Sequence, residues 1–253
     1  GHMAAANIGM GKNVLYITME MAEEKIAERI DANLFDINIA NVDALSEKNF
    51  ESHIDKLKTK INGKLIIKQY PTAAAHVGHF RALIDELRMK KDFEPDVIYV
   101  DYLNICASSR MKNASDTYSY IKSIAEELRG LAIEKDVPIW SATQSNRSGY
   151  QNSDIDLSNT SESFGLPATA DLFLAMISTE ELEDLDQIMF KQLKNRYNDM
   201  AKYRRFVIGI DKSRMRLYDV EEEAQEDIMG ADTTSTSENK STDMDSYTEF
   251  KFD

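Results

Sequence analysis

Short apolar runs alternating with stretches of helical spacing constrain this chain more than anything else in it. Val14-Leu15-Tyr16-Ile17-Thr18, Leu65-Ile66-Ile67, Val97-Ile98-Tyr99-Val100-Asp101 and Val137 to Ala142 are short, largely apolar and rich in β-branched and aromatic residues, the composition of buried strands. Between them, Met21, Ile26, Ile30 and Leu34, then Phe50, Ile54, Leu57 and Ile61, then Phe80, Leu83, Ile84, Leu87 and Met89 recur at helical spacing, and Tyr118 to Glu134 is helical again. Strands alternating with amphipathic helices predict an α/β fold with a doubly wound, mostly parallel sheet. Asp171 to Ile177 and Met189 to Lys194 read as further strands. Arg205 to Asp211 followed by Met215 to Asp219 reads as a C-terminal antiparallel hairpin.

In such a fold ligands sit at the carboxyl ends of the strands, and two strand ends here carry chemistry. Asp101 closes an otherwise apolar strand, where a carboxylate without a partner would be costly. A magnesium ion or its water shell would supply that partner, and a loop cap is the plainer alternative. About forty residues on, Gln144 stands just past the next strand, in Ser141-Ala142-Thr143-Gln144-Ser145-Asn146-Arg147. A neutral amide there suits a phosphate sensor, although taken alone such a Gln serves structure as well. Together they look like a nucleotide-driven motor core. The phosphate cradle itself is missing, because no G-x-x-x-x-G-K-[ST] occurs in the 253 residues. Gly9-Met10-Gly11-Lys12 imitates one, but it precedes a strand instead of a helix and Asn13 replaces the hydroxyl residue that would hold magnesium, so we read it as the turn into the first strand.

Composition sets the remaining bounds. With 42% hydrophobic residues the chain can bury a sizeable core. The single cysteine, Cys106, excludes a disulfide framework and reads as a small core residue in a reducing compartment. Four histidines include His76 and His79 at i, i+3 without Cys or acidic partners at ligand spacing, so no structural metal is expected. No apolar run is long enough to span a membrane. Residues 1–3, Gly1-His2-Met3, read as a cloning remnant, residues 4–220 as one domain, and residues 221–253 as a disordered acidic tail. That tail holds eleven acids against two lysines, which is −9 of the net −14. Such a balance argues against coating DNA by bulk charge, yet permits a ring that grips a strand with a few loops.

Five segments in fixed order go further: Ile17-Thr18-Met19-Glu20-Met21, Val100-Asp101-Tyr102-Leu103, Thr143 to Arg147, Gly165-Leu166-Pro167-Ala168-Thr169-Ala170-Asp171, and Lys191-Gln192-Leu193-Lys194-Asn195-Arg196. This ordered set resembles the RecA-like motor domain of DnaB-type replicative helicases, in particular their T-even phage branch. The resemblance covers residues 14–220. It implies a hexameric ring driven by ATP with Mg2+, moving 5′ to 3′ on single-stranded DNA in a phage-infected bacterial cytoplasm, with a primase and a helicase loader as partners. It implies that Glu20 orients the attacking water. A carboxylate favoured by the dipole of the following helix is the plainer reading of Glu20. Asp101 becomes the magnesium-side acid and Gln144 the γ-phosphate sensor. Lys194 and Arg196, two apart on a strand, become the cations that reach a neighbouring subunit's γ-phosphate; an edge strand guarded by cations is the alternative.

Two polar loops, Ser108 to Thr117 and Asn146 to Thr160, follow the strands that end at Asp101 and Gln144. The resemblance puts them around DNA, with Arg110, Lys112 and Arg147 toward phosphates and Tyr150 toward a base. It also puts a true phosphate loop and its helix just upstream, so that Ala4-Ala5-Ala6-Asn7 reads as the end of that helix and this chain as inactive toward ATP. Competing readings are another RecA-like ATPase, a recombinase or clock-type protein, and a non-catalytic module that binds partners through its tail, whose end, Tyr247 to Asp253, regains aromatic character.

Overall fold

The computed structural model describes residues 1–59, 61–111, 116–144, 165–200 and 203–221. Lys112, Arg147, Tyr150 and the acidic tail beyond residue 221 lie outside them. The chain runs α1 (His2–Gly9), β1 (Val14–Thr18), α2 (Glu23–Phe35), α3 (Glu47–Lys58), β2 (Leu65–Gln69), α4 (Val77–Lys91), β3 (Val97–Asp101), α5 (Thr117–Lys135), β4 (Ile139–Ser141), α6 (Gly165–Thr169), β5 (Leu172–Ile177), α7 (Glu180–Asp184), β6 (Gln187–Asn195), β7 (Arg205–Asp211) and β8 (Arg216–Asp219).

The first four strands form a parallel sheet in the order β2-β1-β3-β4. Its helices lie on both faces, as the side chains of the two central strands show. Leu15, Ile17, Ile98 and Val100 point to one side, where they meet Phe80, Ile84 and Leu87 of α4 and Ile121, Ile124, Leu128 and Leu131 of α5. Val14, Tyr16, Val97 and Tyr99 point to the other, against Ala4, Ala5 and Ile8 of α1 and Ile26 and Ile30 of α2. This two-sided demand explains the unbroken apolar runs, since each fully buried Ile, Leu or Val contributes about 1.5 to 3 kcal/mol. The predicted doubly wound sheet is therefore present.

The predicted hairpin is also present, and it is half of a larger unit. Strands β5-β6-β7-β8 make a second, wholly antiparallel sheet. A register shift between Phe173 and Leu174 bends β5 against β6. The hairpin tip is tied to α2: Arg216 donates to the Asn33 carbonyl at 2.8 Å, the Asn33 amide group donates to the Met215 carbonyl at 2.8 Å, and Arg214 and Arg216 approach Asp36 at 3.2 and 2.9 Å.

Local chemistry settles several ends. Asp116 caps α5 by accepting the Tyr118 and Ser119 amides, each at 3.1 Å. The histidine pair caps α4: His76 Nδ1 accepts the Gly78 amide at 3.0 Å, and His79 Nδ1 accepts the His76 amide at 3.2 Å. Cys106 is buried in the core, and burial, with Glu127 adding to it, pushes its thiol up to about 12. No described helix is long and apolar enough to cross a membrane.

Candidate nucleotide site and its basic flank

Register brings three strand ends to one edge. Thr18 of β1 lies opposite Asp101 of β3, and Val100 lies opposite Ser141 of β4. Glu20 follows two residues beyond β1 and Gln144 three beyond β4, both exposed. The sheet thus gathers Glu20, Asp101 and Gln144 at its carboxyl edge.

Asp101 is held rather than free. Tyr16 Oη donates to its Oδ2 at 2.8 Å, and its backbone carbonyl accepts the Met19 amide at 3.0 Å. Burial, then the hydrogen bond to Asp101, pushes the Tyr16 phenol well above its ordinary value. The peptide bond from Asp101 to Tyr102 is cis. Tyr102 Oη is the 3.4 Å partner of Gln144 Nε2, so Asp101 and Gln144 are linked through adjacent residues of one turn.

The bend carrying Glu20 is clamped on both sides. Thr18 Oγ1 donates to the Met21 carbonyl at 2.9 Å and accepts the Met21 amide at 3.1 Å, while Thr72 Oγ1 donates to the Met19 carbonyl at 2.7 Å. These bonds leave the Glu20 carboxylate facing solvent at the edge.

Helix α1 starts at this same edge. Burial lowers the Gly1 ammonium, and the charge of Asp101 acts in the opposite sense. His2 Nδ1 accepts the Leu217 amide at 3.3 Å, so the β8 hairpin closes one side. The look-alike Gly9 to Lys12 segment sits at the opposite, amino edge. There α1 ends at Gly9, Gly11 turns with φ +80°, and the Asn13 amide donates to Asp96 Oδ2 at 2.7 Å. A Cβ on neighbouring Gly63 would stand 2.5 Å from the Lys12 carbonyl oxygen, so the turn needs glycine on both flanks. It is the entry into β1, as the sequence predicts.

Lys194 and Arg196 form a separate cluster. Lys194 Nζ donates to the carbonyls of Pro167 and Ala168, each at 2.8 Å. Burial, then the charge of Arg196, lowers the Lys194 ammonium from its ordinary value. Asp171 Oδ1 lies 2.7 Å from a guanidinium nitrogen of Arg196 and 2.7 Å from one of Arg129, at angles that make ion pairs rather than aligned hydrogen bonds. Among the described residues neither cation touches Glu20, Asp101 or Gln144.

Arg110, the described member of the four DNA candidates, is exposed and pairs with Glu126 at 3.3 Å. Its loop is anchored by a carboxylate that spacing alone did not single out. Glu127 of α5 is buried and accepts Ser108 Oγ at 2.6 Å, the Ser109 amide at 2.9 Å, Ser109 Oγ at 2.5 Å and Ser123 Oγ at 3.1 Å. Burial raises this carboxyl, and the hydrogen bonds from Ser108, Ser109 and Ser123 outweigh it, so the net shift is downward. A signal existed, since Glu127 interrupts the apolar face made by Ile124, Leu128 and Leu131. Glu127→Ala leaves several buried donors without an acceptor, and we expect a loss of about 2 to 3 kcal/mol in chemical denaturation. Because the folded carboxyl is the stronger acid, its stabilisation is fully present above the unfolded value of 4.5 and disappears as pH falls below it through the folded value. Glu127→Ala should therefore flatten the acid limb of the stability curve.

A parallel sheet with acids and an amide at its carboxyl edge, and an antiparallel sheet beyond it, is the fold of RecA-like helicase ATPase domains. The DnaB-like helicase C terminal domain matches residues 2–217, and the chain belongs to that family. A DnaB-like replicative helicase of Enterobacteria phage T4 is 43% identical over 226 residues, which cover 88% of this chain and 48% of that protein. A probable plasmid replicative DNA helicase of Chlamydia psittaci is 28% identical over 198 residues, covering 76% of this chain and 38% of its own length. The chain thus spans half or less of these relatives. Among solved structures, a DnaB-like replicative helicase described with its primase interactions superposes at TM-score 0.70 and 18% identity over 87% of this chain and 53% of that one. A second solved structure, described as an ATPase domain, gives 0.70 and 18% over 86% of this chain and 78% of that one. At that identity the likeness concerns the fold.

Proposed function

We propose that residues 4–220 are the motor domain of a hexameric replicative helicase that couples ATP hydrolysis to 5′-to-3′ movement on single-stranded DNA in the cytoplasm of a phage-infected bacterium. The observation that carries this reading is the division of the chemistry. One edge holds Asp101, Glu20 and Gln144, while Lys194 and Arg196 are held elsewhere by Pro167, Ala168 and Asp171. A site split this way is completed by a second copy of the chain, and a closed ring gives every copy a neighbour.

The residues fit an ATP–magnesium ligand only in part. Asp101, steadied by Tyr16, suits the water shell of a magnesium ion, and Glu20, on a clamped bend, suits a water-orienting base. The lysine and hydroxyl that grip the phosphates do not occur at the start of α1, where Gly1-His2-Met3 stands. In this reading a phosphate loop supplied by a longer chain precedes α1. Arg110 stands for the DNA-facing loops, Lys112, Arg147 and Tyr150 complete them, and a primase and a loader are the protein partners.

The test is Asp101→Asn in the longer helicase chain. Hydrolysis stimulated by single-stranded DNA should fall at least about a hundredfold, with unwinding of a 5′-tailed duplex lost and ring mass unchanged in sedimentation. Retained hydrolysis, or equal unwinding of a 3′-tailed duplex by the unaltered protein, would sink the reading. A recombinase-type protein would bind strands without directional unwinding, and a partner module would do neither.

A further inference from the structure

The segment Gly165 to Asp171 comprises α6 and the bend into β5. In the structure it touches both cations of the basic flank. Pro167 and Ala168 take two of the three protons of the Lys194 ammonium through their carbonyls, each at 2.8 Å. Asp171 takes one Arg196 guanidinium nitrogen at 2.7 Å through its side chain, and its carbonyl accepts the Arg196 amide at 2.8 Å. Both the main chain and the side chain of Arg196 are therefore tied to one residue.

Asp171 is itself tied down. Arg129 of α5 sits 2.7 Å from the same Oδ1 and donates to the Thr169 carbonyl at 2.9 Å. Arg129 thus neutralises the carboxylate from the helix side and fixes the segment that bears it. Lys194 keeps a third proton, and Arg196 keeps further N–H groups on a side chain that is 41% exposed. A flexible arginine that had to find its geometry at the moment of reaction would lose rotamer entropy there; one held by a carboxylate has lost it already.

We propose that Asp171, backed by Arg129, is a positioning residue that aims Arg196, and that Pro167 and Ala168 do the same for Lys194, toward the phosphate site of a neighbouring copy. The inference rests on the reading of Arg196 as the cation acting across the subunit boundary. Asp171 touches no substrate in this scheme and acts only through Arg196.

The experiment is a double-mutant cycle in the longer helicase chain with Asp171→Asn, Arg196→Ala and the pair. Asp171→Asn should lower kcat for DNA-stimulated ATP hydrolysis roughly tenfold to a hundredfold, with KM within about twofold of its starting value. Adding it to Arg196→Ala should cost nothing more, because the residue it aims is gone. Asp171→Glu keeps the charge and should restore most of the rate, which guards against a variant that merely folds poorly. In the 253-residue chain the Arg196 Nε–Hε resonance should show faster side-chain rotation in Asp171→Asn than in the unaltered protein. Additive losses, an unchanged kcat in Asp171→Asn, or unaltered Arg196 rotation would overturn the inference. A harmless Arg196→Ala would instead overturn the reading beneath it.

Discussion

Arg196→Ala in the longer helicase should reduce DNA-stimulated ATP turnover by a factor of about 10^3 to 10^5, the range an arginine commands when it neutralises charge on a transferring phosphoryl group. Nucleotide affinity should stay nearly constant, because on the proposed reading the interaction belongs to the transition state and to the next subunit's site. The geometry behind this expectation is the placement of Arg196 on Asp171, away from the edge that holds Asp101. Mixed rings give the sharper measurement. Subunits carrying Arg196→Ala and subunits carrying an Asp101 substitution should each be defective alone, and in the proposed ring a mixture would give some interfaces that pair an intact edge with an intact cation. Partial recovery on mixing is the expected result. Mixtures that never recover would remove the support for action between copies.

The 253-residue chain itself should turn over ATP at background level. Its edge offers two carboxylates and an amide, yet the backbone amides and lysine that cradle β- and γ-phosphates are not in the sequence, and Gly9 to Lys12 forms a turn at the opposite end of β1. Isothermal titration should detect no binding in the micromolar range. Micromolar affinity, with turnover abolished by Glu20→Gln, would show instead that the edge works without a cradle.

Much of this was legible in the sequence, and the reasons are physical. β1 and β3 are covered on both faces, so every residue from Val14 to Thr18 is buried, and such a run leaves no ambiguity of period. The turn at Gly9 to Lys12 was legible because a phosphate loop must open a helix. Other features were hidden. α2 begins at Glu23 rather than Met21 because the bend that holds Glu20 runs through Met21 before Ala22 caps the helix. The pairing of β5 with β6 could not be read, since the α7 turn (Glu180–Asp184) between them has no strong pattern of its own. Asp171 and Arg129 are 42 positions apart in sequence, and no local rule joins an acid before a strand to an arginine within a helix. Glu127 breaks an apolar helix face, but which loop donors it accepts is set by the tertiary fold and not by local spacing.

The strand order β2-β1-β3-β4 has a consequence for how the chain is made. β1 lies in the interior of its sheet, and the two strands that pair with it come only with residues 65–69 and 97–101. Any nascent or proteolysed piece that stops short of residue 97 exposes the bare backbone edge of Val-Leu-Tyr-Ile-Thr, a stretch with every property of a self-associating strand. Shortened versions ending before β3 should therefore collect in the insoluble fraction on expression, whereas versions that include β3 should stay in solution.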